Sequence, residues 1–123
     1  MKTSELTGAA LDWAVCEATG LLAAYTQFRT GKNFLKVWGV AKNAHLHPST
    51  DWAQGGPIIE RIKGFLFKHW LEMKRESHQC QAEIHNYDGD WIAFGPTPLI
   101  AALRCFVASR LGDNVAIPAD LLI

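Results

Sequence analysis

Apolar positions along the first part of the chain recur at helical spacing. Ala10, Leu11, Ala14, Val15 and Ala18 fall on one face of a helix spanning 7–18. Thr7 stands where an N-cap belongs, and Gly20 is a natural C-terminal stop. Leu21 to Tyr25 is apolar but short, and reads equally as a helical extension or a strand. Thr30-Gly31-Lys32-Asn33 reads as a turn, and the aromatic and β-branched run Phe34–Val40 as a strand. A loop rich in turn-formers is expected from Asn43 to Gly56, with Pro57 opening the next helix at the position where its missing N–H costs nothing. Ile58, Ile59, Ile62, Phe65 and Leu66 continue that helix at helical spacing, but the alternation from Phe65 to Glu72 also fits a strand beginning near Gly64, and periodicity leaves both open.

The second half is clearer. Gln79–His85 alternates as a strand, Tyr87–Asp90 is a turn, and Trp91–Phe94 is the returning strand of a hairpin. Thr97-Pro98 is the strongest helix start in the chain, followed by an apolar stripe of Leu99, Ile100, Leu103, Phe106, Val107 and Leu111, with Gly112 as the stop. The apolar tail from Val115 is expected to dock on the body. The result is one α+β domain over 1–123, a small and mainly antiparallel sheet packed with two or three helices, with no linker or low-complexity segment.

Composition narrows the function classes. At 123 residues and 49% apolar, the chain is long enough for one real core. Twelve basic residues balance twelve acidic ones, which argues against a nucleic-acid binder or a polybasic membrane anchor. The basic run Arg61, Lys63, Lys68, Lys74 and Arg75 is interrupted by Glu60, Glu72 and Glu76 and reads as a solvated face. Three cysteines, odd in number and without a C-x-x-C pair, read as reduced, buried thiols. No signal-peptide pattern opens the chain, and no apolar run reaches the ~18 residues a membrane helix needs, so a cytoplasmic location is expected.

One pattern occurs twice. Asp51-Trp52-Ala53-Gln54-Gly55-Gly56-Pro57 and Asp90-Trp91-Ile92-Ala93-Phe94-Gly95-Pro96 both read D-W-x-x-x-G-P before an apolar helix start. A helix N-terminus presents free N–H groups to an anion, glycine admits a ligand to the backbone, and tryptophan offers a stacking face. Ser49, Thr50 and Thr97 add hydroxyls, and Arg61 and Arg104 add guanidinium groups that pair with phosphate. The expected ligand site therefore comprises Ser49, Thr50, Asp51, Trp52, Gly55, Gly56, Arg61, Trp91, Gly95, Pro96, Thr97 and Arg104. The competing reading is structural, because Gly-Pro before a helix and tryptophan in a core are ordinary architecture.

Longer strings carry a resemblance. Pro48–Arg61, Gly95–Cys105 and the opening Lys2–Val15 together resemble the phage NinX-like family. The resemblance implies a phage or prophage origin, a small accessory protein in the cytoplasm of the bacterial host, and no agreed activity. It also favours the short helix after Pro57.

Other chemistry is weaker. His45 and His47 with Asp51 fall short of the three or four ligands zinc requires, and neither a metal nor a cofactor is expected. Asp88, Asp90 and Glu83 lie on the hairpin, where turn aspartates usually serve the turn. Cys16 and Cys105 lie inside helices and read as inert. Three functions stay open. The first is binding of a small anionic, nucleotide-like ligand without turnover, sequestering a host defence signal. The second is a module engaging a host or phage protein. The third is a small nucleotide-acting enzyme using Asp51 or Glu60. The sequence leaves homo-oligomerisation open.

Overall fold

The computed structural model describes residues 1–19, 48–68 and 79–117. The expected segments Leu21–Tyr25, Thr30–Asn33 and Phe34–Val40, with Gly20, His45, His47 and the end of the tail, lie outside the described residues. A 3-10 turn at Thr3–Glu5 leads into α1, Gly8–Ala18. Then follow α2, Trp52–Glu60, and β1, Phe65–Lys68; β2, Cys80–Asn86, and β3, Gly89–Gly95, precede α3, Pro98–Leu111. The described strands form one antiparallel sheet in the order β1-β2-β3. The architecture is α+β.

The central element is α3. Thr97 starts it, its hydroxyl accepting from the Ile100 N–H at 3.1 Å, and Gly112 at φ +85° ends it. Nine consecutive residues, Leu99 to Val107, are buried. Helices that expose one face show a stripe; burial all round means packing on both sides. On one side Leu99, Ile100, Leu103, Phe106 and Val107 join Leu6, Leu11, Val15 and Val115. On the other, Ala101, Ala102 and Cys105 face Cys80, Ala82, Ile84 and Ala93 of the sheet. The small side chains on that second side let the helix lie close on the strands.

The hairpin forms as expected, tightened to two loop residues, Tyr87 and Asp88, since Asn86 and Gly89 are paired. The Asn86 side-chain oxygen accepts from the Asp88 N–H at 2.8 Å and holds the turn. The tail docks through Val115, whose N–H donates to the Met1 carbonyl at 2.9 Å. None of the three cysteines forms a disulfide, and all three are buried. Burial pushes the Cys16 and Cys105 thiols up to about 12, so both stay protonated and unreactive at neutral pH.

Two expectations about the middle of the chain are corrected or resolved. The loop does not extend to Gly56 and the helix does not begin at Pro57. Asp51 is the N-cap, its carboxylate accepting from the Ala53 N–H at 2.9 Å, and α2 begins at Trp52 with Pro57 inside it. Gly55-Gly56-Pro57 resembles a turn in sequence, but the Asp51 cap starts the helix at Trp52, ahead of all three. After Glu60 the helix yields to a strand, as the shorter alternative has it, with Gly64 at the junction at φ +76°.

Candidate functional site

The two D-W-x-x-x-G-P strings are not a structural repeat. In the first, Asp51 caps a helix and Trp52 is its first residue. In the second, Asp90 and Trp91 lie within β3, and Gly95 is the last residue of that strand. Only in the second does the glycine precede its helix; in the first, Gly55 and Gly56 lie inside it.

The residues expected at one mouth separate into distinct places. Gly55 brings the start of α2 against the start of α3: a Cβ there would lie 2.5 Å from the Pro48 carbonyl oxygen and 2.7 Å from Leu99 Cδ1. Gly95 likewise presses its strand end on α3, with a Cβ falling 2.8 Å from the Ala101 nitrogen. At both glycines the space that a side chain would take is filled by protein. Ser49 turns inward. Its N–H donates to Asp12 Oδ1 at 2.8 Å, and its hydroxyl, in a residue 2% exposed, has no hydrogen-bond partner among the described residues. Thr50, Trp52, Pro96 and Thr97 are exposed and Gly56 is half-buried beneath the Trp52 ring. Both helix N-termini already carry an internal cap, from Asp51 and Thr97, which occupies donors an anion would take.

Trp91 is half-buried against the sheet-side core, four strand residues or about 13 Å from Gly95. Arg61 is the C-cap of α2, about 13 Å along that helix from Trp52. Arg104 is buried, donating Nε–H to the Leu6 carbonyl at 2.7 Å and Nη1–H to the Phe94 carbonyl at 2.8 Å.

Arg61 belongs to a better-formed site. It lines a cavity of about 160 Å³ with Ala18, Thr19, Ile58, Ile62, Phe106 and Arg110, in the groove where α1, α2 and α3 meet. Ala18, Ile58, Ile62 and Phe106 supply its apolar lining. Arg110 leans over the Phe106 ring with its guanidinium carbon 5.5 Å from the ring centre, a cation–π contact that orients the charge. Among the described residues that line the cavity there are two guanidinium groups and no carboxylate. Sequence reading missed Arg110, Phe106 and Ala18, since only Arg61 and the nearby isoleucines share one local pattern.

A second polar cluster sits on the open face of the sheet. His85 Nδ1 lies 2.7 Å from Asp90 Oδ1, and His85 Nε2 lies 3.0 Å from Glu83 Oε1. Gln81 donates in turn to Glu83 Oε2 at 3.2 Å. Hydrogen bonds to Asp90 and then to Glu83 raise the His85 pKa above its ordinary 6.5. Both ring nitrogens are occupied by carboxylates, which favours an imidazolium and leaves no nitrogen free as a base. Because the folded pKa is the higher one, this interaction is fully present below about pH 6.5 and is lost as pH rises through the folded value. A proton NMR titration of the His85 ring should show the raised midpoint, and Asp90→Asn should move it down. An unperturbed midpoint in the wild type would mean the cluster does not form.

Among the described residues no helix is long and apolar enough to cross a membrane, and no group of three or more His, Cys, Asp or Glu is arranged to hold a metal ion. None of the curated proteins compared with the chain is significantly similar to it. The family model described as Bacteriophage P22, NinX matches residues 2–110, which takes in every described element from the 3-10 turn to all but the last residue of α3. The chain belongs to the Bacteriophage P22 NinX family.

Proposed function

We propose that this protein, which family membership marks as a phage accessory protein, binds a small anionic, nucleotide-like ligand without turnover in the groove between α1, α2 and α3. The observation that supports this is the pairing of apolar lining residues with two arginines and, among the described residues, no carboxylate. Ligand cavities for whole drug-sized molecules run to roughly 300–1,000 Å³. At about 160 Å³ the cavity suits one ring, with the charged group held outside by Arg61 and Arg110. A protein that only binds such a molecule removes it from solution, which is how a phage would sequester a host defence signal.

Calorimetric titration with nucleoside monophosphates and cyclic nucleotides tests the reading. Arg61→Ala and Arg110→Ala should each weaken binding about fivefold to tenfold, since a charge-assisted hydrogen bond contributes ~1–1.5 kcal/mol at a partly exposed site. Chromatography should recover the ligand intact, and consumption of the ligand would favour the enzyme instead. Absence of binding at high micromolar ligand would sink the proposal. A second reading, engagement of a host or phage protein, draws support from Leu66 and Ile92, which flank Glu83 across the open sheet face and are each more than half exposed. In that case a partner should be retained by the wild type and lost with Ile92→Glu.

A further inference from the structure

Arg104 carries a charge that the fold leaves only partly answered. Its residue is 7% exposed, yet its described hydrogen bonds are to two neutral carbonyls, those of Leu6 and Phe94. No carboxylate forms an ion pair with it among the described residues. Burial holds its pKa below the ordinary guanidinium value. A guanidinium has five N–H donors and does not give up its charge in a protein. Two donors are used, so three are left. A buried charge of this kind normally has a counter-ion.

The space for one is present. Arg104 lines a cavity of about 200 Å³ together with Lys2, Thr3, Ser4, Ile92, Ala93, Ala108, Asp113 and Asn114. The cavity lies between the N-terminal turn, β3 and the end of α3, and is separate from the groove that holds Arg61. Its frame is held by bonds between the two ends of the described chain. The Thr3 N–H donates to the Asp113 carbonyl at 2.8 Å, the Thr3 hydroxyl donates to the Gly112 carbonyl at 2.6 Å, and the N-terminal ammonium donates to the Val115 carbonyl at 2.9 Å. Beside Arg104, the described residues that line the cavity include Lys2, Ser4 and Asn114 and one acidic residue, Asp113.

We propose that this cavity binds a single phosphate-sized oxyanion that still carries a proton, with Arg104 and Lys2 neutralising its charge and Asp113 accepting a hydrogen bond from its OH group. Among the described lining residues two cationic side chains stand against one acidic one, which suits a monoanion. The carboxylate sets the selectivity. Monobasic phosphate, or a phosphate monoester with one proton, offers Asp113 a donor; sulfate at neutral pH has none and meets the carboxylate with like charge. The site needs no metal and involves no covalent step.

Inorganic phosphate and sulfate are the probes, titrated into the full chain near pH 6.5 by calorimetry and followed by phosphorus NMR line broadening. Saturable one-site binding of phosphate is expected, with sulfate at least about tenfold weaker. Lys2→Gln should weaken phosphate about fivefold to tenfold. Asp113→Asn should erase the preference for phosphate over sulfate while the protein still folds, because both side chains are exposed. Arg104→Lys should weaken binding most, but Arg104 also supports two carbonyls, so the exposed variants carry the test. No saturable phosphate binding at millimolar concentration overturns the proposal, and so does a preference that survives in Asp113→Asn. If phosphate binding is lost in the Arg61→Ala, Arg110→Ala double variant and kept in Lys2→Gln, the anion occupies the groove, and this inference fails while the reading of the groove stands. A phosphate monoester that binds with the same dependence on Lys2 and Asp113 extends the ligand class from the free ion to a phosphorylated metabolite.

Discussion

Replacing Gly64 with alanine should remove about 4 kcal/mol of stability, read as a drop in the urea midpoint with an unchanged slope. Two costs combine. Gly64 sits at φ +76°, where an L side chain is strained by roughly 1 kcal/mol or more. A Cβ there would also lie 1.8 Å from the His85 carbonyl oxygen, a backbone atom that no rotamer change can move. Relief requires β1 to separate from β2, which breaks the His85 N–H to Gly64 carbonyl bond of 2.9 Å and the ladder that begins with Phe65 opposite Ile84. Small domains are stable by only ~5–15 kcal/mol, so the variant should be marginal at growth temperature. A loss under about 1 kcal/mol would mean that β1 does not approach β2 at this junction.

Gly55 and Gly56 are neighbours with opposite expected responses. Gly55→Ala should destabilise by about 2 kcal/mol, because the added methyl meets the Pro48 carbonyl at 2.5 Å and Leu99 Cδ1 at 2.7 Å. Leu99 can yield, but the Pro48 backbone can move only with the turn that Ser49 ties to Asp12. Gly56→Ala should stabilise by up to ~1 kcal/mol, since it lies within α2 and its Cβ would meet nothing nearer than Trp52 Cε3 at 3.9 Å. Thermal melts of the two variants decide the matter. Opposite shifts support the glycines as packing elements of a helix. A loss of ligand binding in Gly55→Ala with unchanged stability would return that glycine to the ligand mouth read from the sequence.

How much was legible depends on the range over which each interaction acts. The hairpin was readable because alternation over Gln79–His85 and Trp91–Phe94 and a short polar turn are local signals, and the turn is closed by Asn86 within its own sequence. The helix after Thr97 was readable for the same reason: its cap, first proline and final glycine all lie within or next to the element. The start of α2 was misread because Gly55-Gly56-Pro57 carries the local mark of a turn. The contacts that give Gly55 its role come from Pro48 and from Leu99, a residue on another element.

The site depended on the fold still more. Family, fold class and the buried thiols follow from composition, short-range pattern and the long matching strings. The grouping of the charges does not. Arg61 meets Arg110 and Phe106 only because α2 lies against α3, and Arg104 bonds a carbonyl 98 residues away. Lys2 and Asn114 come together because the N-terminal turn pairs with the segment after α3. Periodicity decides which face of an element is buried, since that is set by 3.6 or 2 residues per turn along one segment. Packing between elements decides which charges share a cavity, because those distances are set by side chains that are neighbours in space and strangers in sequence.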